Sequence, residues 1–534
     1  MYNRNCCYKR LLIEREKVCE RRLFWIEVLA KIGTMLRTFT MEITYNKLWH
    51  RLNERGLKKQ DLREIAGISK ASIAKLVKNE NVTTDVLLRI CGALDCDISD
   101  IMGIERPLQA SNQPSNKEYR INSFFAGIGG FDIGFERCGF KTSFLCEINP
   151  FCLNVLEKHW PEVPKYNDIT TLTASQIPDA EVWCGGFPCQ DISVARGASK
   201  RMGLGGARSG LFYDYAALIE EKKPEVVIIE NVEGLFNSNG GRDFGVILQK
   251  LNELGYAVAW RLLNSRYFGV PQSRPRVYMC CWRNSPDKAL RVMFDKEGAQ
   301  KPSNGRLDFI TESTKPTEYP KVPKVSYCLA ATSGRHTGTD WSRTYVVCHD
   351  GVRRMTPKEY ERLQGFPDLW TLPSGFDSES EDTDTLRYTA VGNAVSVPVI
   401  EWLANRVHQQ LSTPSSKESS KDELHSYVPE FSKSSWSLFS LKDVDFTDEN
   451  EKFSWPKAGI AWDFYYLGGS VQPTPREIVA SSLREIVDRQ ETSRRYYLTP
   501  NAAEGILRRV DNQGRKLFEP LRNALEIEKS KKSK

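Results

Sequence analysis

A cysteine in the segment Cys184-Gly-Gly-Phe-Pro-Cys-Gln190 is placed where it could act as a nucleophile. The segment follows the strand-like run AEVW, so Cys189 should lie in a loop at the carboxyl edge of a sheet, where open α/β sheets bind ligands. A cysteine is more commonly a small core residue, and Cys184 fits that description. The flanking Pro188 and Gln190 favour a chemical role for Cys189, which as a thiolate could attack an electrophilic carbon.

A carboxylate and an amide, Glu230 and Asn231, end the run EVVIIENVEGL. The run is long enough to form a buried central strand, and such strands rarely end in Glu-Asn. Capping of the following turn by the carboxylate is the structural alternative. The position at a strand end nevertheless favours a role for Glu230 in chemistry at the same sheet edge.

A glycine cluster in FFAGIGGFDIGF predicts a nucleoside-binding turn. The strand INSFFA runs into Gly127 and Gly129, which allow a ligand to approach the backbone closely, and Glu147 follows 20 residues after Gly127, where doubly wound folds place an acid for ribose hydroxyls. Asp132 occupies the position of the third glycine of a dinucleotide motif, which favours a nucleoside without phosphates, such as S-adenosylmethionine. A tight strand-to-helix turn without a ligand is the alternative explanation.

The elements around these residues predict an α/β fold. Short β-like runs (INSFFA, KTSFLCEI, AEVWCGG, EVVIIENV, RVYMCCW) alternate with helical ones such as FYDYAALIEEKK between residues 118 and 278. This alternation predicts a parallel sheet flanked by helices.

Composition limits the class of protein. Hydrophobic residues make up 40% of the 534 residues and charged residues 27%, which is typical of folded globular domains and excludes global disorder. The net charge of +7 permits an anionic partner without requiring one. The 14 cysteines never have CxxC spacing and the six histidines are scattered, so neither a metal site nor a disulfide framework is expected. No apolar run approaches the ~20 residues of a membrane span and no signal peptide is recognisable, so we expect a cytoplasmic protein that does not bind membranes.

Six segments in order resemble the C5-cytosine DNA methyltransferase family: FFAGIGGFDIGF, GGFPCQDIS, ENVEGL, PQSRPRVY, RRMTPKEYERLQGFP and GNAVSVPV. The resemblance covers about residues 118 to 411. It implies a Rossmann-like, S-adenosylmethionine-dependent catalytic domain, with a smaller target-recognition domain inserted before RRMTP, and duplex DNA as the substrate.

The resemblance also implies roles in catalysis. Cys189 would add to C6 of a cytosine and activate C5 for methylation, with Arg274 and Arg276 as basic neighbours that help to form the thiolate. Glu230 would hydrogen-bond N3 and the exocyclic amine, and Arg276 would bind the ring carbonyl oxygen. The base that removes the C5 proton is not identified.

By the same resemblance a set of residues would bind the cofactor. Glu147 would bind the ribose, Asp168 the adenine amine, and Ile148 and Ile169 the two adenine faces. Ile148 stands where the family often has an aromatic residue, and Ala394 replaces a frequent serine, so cofactor affinity should be altered. The other implied cofactor-binding residues are Phe125, Gly127, Gly129, Leu211, Asn393 and Val395.

DNA contacts are expected in three places. The target base must leave the duplex, and Gln190 and Ser193 would contact it in its pocket. Arg335 and Arg343 in SGRHTGTDWSRT would read base edges, although a solvated loop explains these residues nearly as well. The segment LKKQDLREIAGISKASIAKLVKNE, with a turn at Gly67 and a cap at Ser69, resembles Cro-like repressor domains and is expected to belong to a five-helix unit; its DNA contacts would come from Lys70, Ser72 and Lys75.

The boundaries predicted from these patterns divide the chain into successive parts. Residues 1–40 are a basic extension that is typical of an upstream-start artefact, residues 41–107 a helix-turn-helix domain, and residues 108–117 a linker. The catalytic domain comprises 118–282 and 350–411, with the recognition region at 283–349. A linker (412–427) precedes a separate C-terminal extension of unknown role (428–534), with a helix expected at PREIVASSLREIVDRQE and basic residues expected on a solvated face.

The sequence therefore predicts a DNA cytosine-5 methyltransferase that serves restriction-modification or the protection of phage or host DNA, with promoter DNA as a second target of the helix-turn-helix domain. Three alternatives remain: an RNA cytosine-5 methyltransferase, a DNA-binding regulator with an inactive catalytic fold, and a nicotinamide oxidoreductase. The last would need the missing glycine. The oligomeric state is not indicated.

Overall fold

The fold is known from a computed structural model that divides into two compact units, Met1–Asn116 and Lys117–Lys534. The structure describes residues 42–45, 48–49, 51–52, 57–105, 118–188, 210–294, 319–332, 343–413, 440–446, 448, 450–469, 473–488 and 492–531. No helix in these ranges is long and apolar enough to cross a membrane.

The amino-terminal unit has the predicted helix-turn-helix. Gly67 adopts a φ of +59° in the turn, and the Ser69 hydroxyl accepts a hydrogen bond of 3.0 Å from the backbone N–H of Ser72, which caps the second helix. A short antiparallel sheet, which was not predicted, joins the two ends of the unit. The amino-terminal unit contains β1 (Glu42–Thr44), α1 (Lys59–Ile65), α2 (Lys70–Val77), α3 (Thr84–Leu94), a 3₁₀ turn (Ile98–Asp100) and β2 (Gly103–Glu105).

A nine-stranded sheet forms the centre of the second unit, in the order β13-β12-β8-β9-β7-β6-β3-β4-β5. Its strands are β3 (Arg120–Phe124), β4 (Lys141–Cys146), β5 (Lys165–Tyr166), β6 (Val182–Gly185), β7 (Val226–Val232), β8 (Tyr256–Asn264), β9 (Pro275–Arg283), β12 (Ala458–Trp462) and β13 (Tyr465–Gly469). A separate hairpin joins β10 (Tyr345–Cys348) to β11 (Gly351–Arg354).

Helices cover both faces of the large sheet, and two hydrophobic clusters fill the space between the layers. The helices are α4 (Gly130–Glu136), α5 (Pro150–His159), α6 (Leu211–Lys222), α7 (Arg242–Glu253), α8 (Pro286–Met293), α9 (Pro357–Gln364), α10 (Glu381–Asn393), α11 (Val397–Leu411), α12 (Leu483–Ile486), α13 (Pro500–Asn512) and α14 (Glu519–Ser530). The protein is thus an α/β protein, as predicted.

Only five neighbouring strands of the sheet, from β7 to β5, are parallel. The segment RVYMCCW, expected in a parallel sheet, forms β9, which runs antiparallel to both β7 and β8. This reversal matters for function, because it brings the amino end of β9 to the edge where the parallel strands end.

The C-terminal extension is not separate from the catalytic unit. Strand β12 pairs with β8 along Ala458–Ala461, and Trp455 is buried among the aromatic rings of α7 and the sheet. Helices α13 and α14 form a hydrophobic cluster with β10 and β11, so the extension also packs on the end of the expected recognition region.

The expected helix at PREIVASSLREIVDRQE is wrong over most of its length, since only Leu483–Ile486 are helical within the described part of this segment. The N–H of Val479 donates to the carbonyl of Tyr267, and the carbonyl of Val479 accepts from the N–H of Gly269. These backbone bonds fix an extended chain, and tertiary pairing of this kind overrides local helical propensity.

The first part of the expected recognition region belongs to the core instead. Helix α8 lies within residues 283–349, yet its Leu290 and Met293 are buried in a hydrophobic cluster of the large sheet. Arg406 of α11 donates to backbone carbonyls at the carboxyl end of α8. Its strongly one-sided apolar pattern explains this packing.

Candidate active site

A cleft with a volume of about 450 Å³ opens at the carboxyl edge of the parallel strands. The loops after β3, β4 and β6, the end of β7, the start of β9 and one face of α10 form its walls. This is where open α/β sheets bind ligands. The sequence predictions for Phe125, Glu147 and Glu230 therefore converge on a single cavity, since all three line it.

One half of the cleft has the polar groups that a nucleoside needs. Each oxygen of Glu147 accepts one backbone N–H, from Gly127 at 2.7 Å and from Asn149 at 2.8 Å, which leaves lone pairs for two ribose hydroxyls. Phe125, directly after β3, has a φ of +52°, a conformation that is costly for a residue other than glycine and is common at ligand sites. The strained backbone of this turn therefore lies at the wall of the cleft.

The floor of this half can take an adenine. Asp168 uses one carboxylate oxygen to accept from the N–H and hydroxyl of Thr170, while its other oxygen makes no hydrogen bond to the described residues. Ile148, whose side chain is exposed, and the buried Ile169 supply apolar surface beside it. Among the described residues, no lysine or arginine lines this half of the cleft.

The remaining predicted cofactor residues divide into two groups. Leu211 at the start of α6 and Asn393 at the end of α10 line the cleft. Gly129 and Val395 are not among its lining residues. A Cβ on Gly129 would lie 2.3 Å from the ring of Trp160, and the buried Val395 packs against Gly130, so the structure gives both positions a packing role.

The other half of the cleft contains a buried carboxyl group and a buried guanidinium group from neighbouring antiparallel strands. Glu230 of β7 and Arg276 of β9 form an ion pair with 3.1 Å between Oε1 and Nε, with only 12% and 14% of their side chains exposed. Burial raises the pKa of Glu230, although Arg276 and Arg274 oppose the shift. The carboxyl therefore takes up a proton at a higher pH than an exposed glutamate does, and only in this protonated form, without the ion pair, can it act as a hydrogen-bond donor.

Arg274 is placed differently from Arg276. Its guanidinium is buried and donates to three backbone carbonyls, at 2.9 Å to Leu329, 3.1 Å to Gly392 and 2.8 Å to Ala394. It therefore ties the start of β9 to the end of α10, where Asn393 lines the cleft. These bonds favour a positioning role for Arg274 over direct contact with a substrate.

The loop that leads to Cys189 is anchored beside the Glu230–Arg276 pair. The carboxamide of Asn231 donates to the carbonyl of Phe187 at 3.1 Å, and a Cβ on Gly186 would lie 3.2 Å from Glu230 Oε2. Gly186, Phe187 and Pro188 line the cleft. Pro188, the residue that directly precedes Cys189, thus lies in the wall of the cleft.

Comparison with known proteins agrees with this geometry. The model of the C-5 cytosine-specific DNA methylase family matches residues 119–327 and 311–409, which together cover more than half of the chain. The chain belongs to this family. A Cro/C1-type HTH DNA-binding domain model matches residues 47–107. The protein is therefore a DNA cytosine-5 methyltransferase with an amino-terminal helix-turn-helix domain.

Two curated relatives span most of their own length in the match. Type II methyltransferase M.HaeII of Haemophilus aegyptius is 32% identical over 329 residues, which are 56% of this chain and 96% of the relative. Type II methyltransferase M1.ScrFI of Lactococcus lactis subsp. cremoris is 31% identical over 377 residues, 66% of this chain and 92% of the relative. Among solved structures, the Entamoeba histolytica methyltransferase EhMeth is 19% identical over 56% of this chain and 100% of its own, with a TM-score of 0.40.

The methylases of this family use S-adenosylmethionine as methyl donor, and the cleft fits that molecule. Glu147 and Asp168 present carboxylate oxygens for hydroxyl and amine donors, and the apolar side chains of Phe125, Ile148 and Leu211 line the same space. The cavity lies in the size range of small-molecule sites.

Several predicted residues of the methylase lie outside the described residues: Cys189, Gln190, Ser193 and Arg335. Arg343 is described, and its guanidinium donates to the carbonyl of Thr332 at 2.8 Å. In the amino-terminal unit Lys70 and Lys75 are exposed on α2, while the hydroxyl of Ser72 lies 2.9 Å from that of Ser69 in the helix cap.

The features of the methylase site that were not predicted include one side of α10 and a thiol. Leu386 and Thr389 of α10 line the cleft, although the sequence of this helix, EDTDTLRYTAVGN, has no clear apolar stripe that would have indicated a ligand-facing side. Cys328, in the segment expected to serve recognition, contacts Arg276, and a lone cysteine in an irregular segment carries no sequence signal.

Proposed function

We propose that the protein methylates C5 of a specific cytosine in duplex DNA through a covalent bond between Cys189 and C6 of a flipped base. The observation that carries this proposal is the cleft itself. It combines a nucleoside-binding half around Glu147, the ion pair of Glu230 and Arg276, and the backbone that leads into Cys189. A base inside a duplex cannot reach such a cleft, so the target cytosine must be extruded at a cost of a few kcal/mol.

Glu230 and Arg276 are suited to hold a cytosine ring and to stabilise its charge. A protonated Glu230 can donate to N3 and accept from the exocyclic amine with its second oxygen. Arg276 can donate to the ring carbonyl oxygen, where negative charge increases when a nucleophile adds at C6. The raised pKa of Glu230 supports the first of these roles, because N3 of a neutral cytosine has a lone pair and no hydrogen.

Cys189 would supply the nucleophile. Its thiolate forms a bond to C6, and the electron pair of the C5–C6 double bond moves so that C5 becomes nucleophilic. When bound, S-adenosylmethionine provides an electrophilic methyl group on a positively charged sulfur. After C5 has gained the methyl group, a base removes the C5 proton, the double bond re-forms, and Cys189 leaves as a thiolate.

The test is the transfer of labelled methyl from S-adenosylmethionine to duplex DNA by the full-length protein and by Cys189→Ser, followed by sequencing that detects 5-methylcytosine. We expect label on one cytosine of a defined site with the wild type and none with the variant. Label on RNA but not on DNA would refute the substrate, and label retained by Cys189→Ser would refute the covalent step.

We further propose that the helix-turn-helix unit binds DNA separately, through the exposed Lys70 and Lys75 of α2, and that the promoter of the protein's own gene is one target. The family match and the capped second helix support a DNA-binding role. Deletion of residues 1–107 should abolish promoter occupancy. Unchanged occupancy would refute the regulatory part of the proposal.

The similarity to Type II methyltransferases supports a role in restriction-modification, in which methylation protects DNA from a companion endonuclease. DNA from a host strain that lacks the gene should then be cleaved at the site that the enzyme methylates. Survival of this unmethylated DNA in the host would contradict the protective role.

A further inference from the structure

The thiol of Cys328 lies beside two arginines. Arg276 belongs to β9, and Arg274 belongs to the loop before it. Its Sγ is 3.6 Å from Arg274 Nη1 and 3.8 Å from Arg276 Nη2, distances at which sulfur can accept N–H hydrogen bonds. The thiol also lies 3.5 Å from the carbonyl of Leu329, to which it can donate. The sulfur thus contacts the guanidinium of Arg276 from the recognition region.

Three groups orient the guanidinium of Arg276, and each takes a different nitrogen. Nε faces Glu230 at 3.1 Å, Nη1 donates to the carbonyl of Pro275 at 2.8 Å, and Nη2 faces Cys328. Within the described residues Cys328 is the only hydrogen-bond partner of Nη2. Each Nη carries two hydrogens, so one can point to the sulfur while the other remains for a ligand.

The backbone around Cys328 is fixed against the loop that precedes β9. The N–H of Ser326 donates to the carbonyl of Pro271 at 2.7 Å, and the carbonyl of Ser326 accepts from the N–H of Ser273 at 3.0 Å. One residue beyond Cys328, the N–H of Leu329 donates to the side chain of Gln272 at 3.0 Å. The sulfur therefore has a defined position relative to Arg276.

The same segment is linked to the hairpin of β10 and β11. The N–H of Tyr327 donates to the hydroxyl of Thr344 at 3.0 Å, and Thr344 directly precedes β10. Cys328 is thus one residue from a contact with the hairpin and in direct contact with Arg276. This arrangement connects the recognition region to the Glu230–Arg276 pair through a short chain of hydrogen bonds.

We propose that Cys328 is a positioning residue for the methyl transfer, which holds Nη2 of Arg276 in the direction of the ring carbonyl oxygen of the flipped cytosine. The inference rests on the role of Arg276 under the proposed function. A thiol suits this task because sulfur is a weak acceptor, so it restrains the guanidinium without neutralising its charge. A carboxylate at the same position would compete with the base for Arg276.

The test compares Cys328→Ala and Cys328→Ser with the wild type in the full-length protein, by measuring kcat, the KM for S-adenosylmethionine and the KM for duplex DNA. The matched control is Cys96→Ala, which changes a partly buried cysteine in the other compact unit. We expect Cys328→Ala to lower kcat about threefold to tenfold, the effect of losing one hydrogen bond that acts in the transition state, and to leave the KM for S-adenosylmethionine unchanged. Serine should recover most of the loss, because its hydroxyl also accepts, and Cys96→Ala should not change kcat.

A double-mutant cycle separates positioning from a general structural role. In the background of Arg276→Lys, which lacks Nη2, Cys328→Ala should cause little further loss. An equal loss in both backgrounds, or an unchanged kcat for Cys328→Ala alone, would overturn the inference. If Arg276→Lys itself leaves kcat at the wild-type value, the proposed role of Arg276 fails, and the inference fails with it.

Discussion

Replacing Asp132 with asparagine should stabilise the catalytic unit much more at alkaline pH than in mild acid. Asp132 lies in α4 and is completely buried. Burial, opposed in part by the nearby hydroxyl of Ser123 and reinforced by Glu136, raises the pKa of Asp132 to about 7. No step of the proposed reaction uses this group, so its ionisation should affect stability rather than chemistry.

The sign and size follow from linkage. An unfolded aspartate loses its proton near pH 3.8, whereas the folded protein retains the proton until about pH 7. The folded state therefore binds more protons between these values, and stability falls by about 1.4 kcal/mol for each pH unit across this window. Between pH 5 and pH 8 the loss amounts to roughly 2–3 kcal/mol. The asparagine side chain of the variant does not titrate, so Asp132→Asn should not show this loss.

Thermal unfolding at pH 5 and pH 8, followed by tryptophan fluorescence, measures the effect. For a unit of roughly 400 residues, 2–3 kcal/mol corresponds to about 2–4 °C, so the Tm of Asp132→Asn relative to the wild type should rise by this amount between the two pH values. The control Asp179→Asn removes a carboxylate whose side chain is 94% exposed, and it should have only a small effect at both pH values. A Tm difference for Asp132→Asn that is the same at pH 5 and pH 8 would refute the reasoning.

Three further results are expected. Glu230→Gln should lower kcat by about 100-fold or more, as for loss of a general acid. We expect wild-type activity to decline as pH rises through the raised pKa of Glu230, and the variant should lack this decline, so a variant with the wild-type pH profile would contradict this role. Arg353→Ala should destabilise the catalytic unit by about 3–5 kcal/mol, because it leaves the buried Glu359 without its bidentate partner at 2.8 and 2.9 Å; an unchanged Tm would contradict this. Gly129→Ala should lower Tm, because the φ of Gly129 is +80° and the new methyl group would collide with Trp160. A wild-type Tm would contradict this packing role.

Local patterns predicted the residues at strand ends well. Glu147 follows β4, and Glu230 lies near the end of β7, because each polar residue interrupts an apolar run where the strand reaches the sheet edge. The turn at Gly67 and the cap at Ser69 were equally predictable, since both depend on contacts within a few residues. Recognition of the family motifs added the roles of these residues, which their spacing alone could not give.

The sequence by itself therefore determined the α/β class, the helix-turn-helix unit and a part of the residues that line the cleft, among them Phe125, Glu147 and Glu230. Only the tertiary structure decided that β9 is antiparallel, that β12 extends the sheet beside β8, and that Arg274 binds backbone carbonyls while Arg276 faces Glu230. The physical reason is distance along the chain. Apolar periodicity and capping act over a few residues, whereas strand direction and the partner of a buried guanidinium depend on groups dozens to hundreds of residues away, whose positions are set only when the whole core packs.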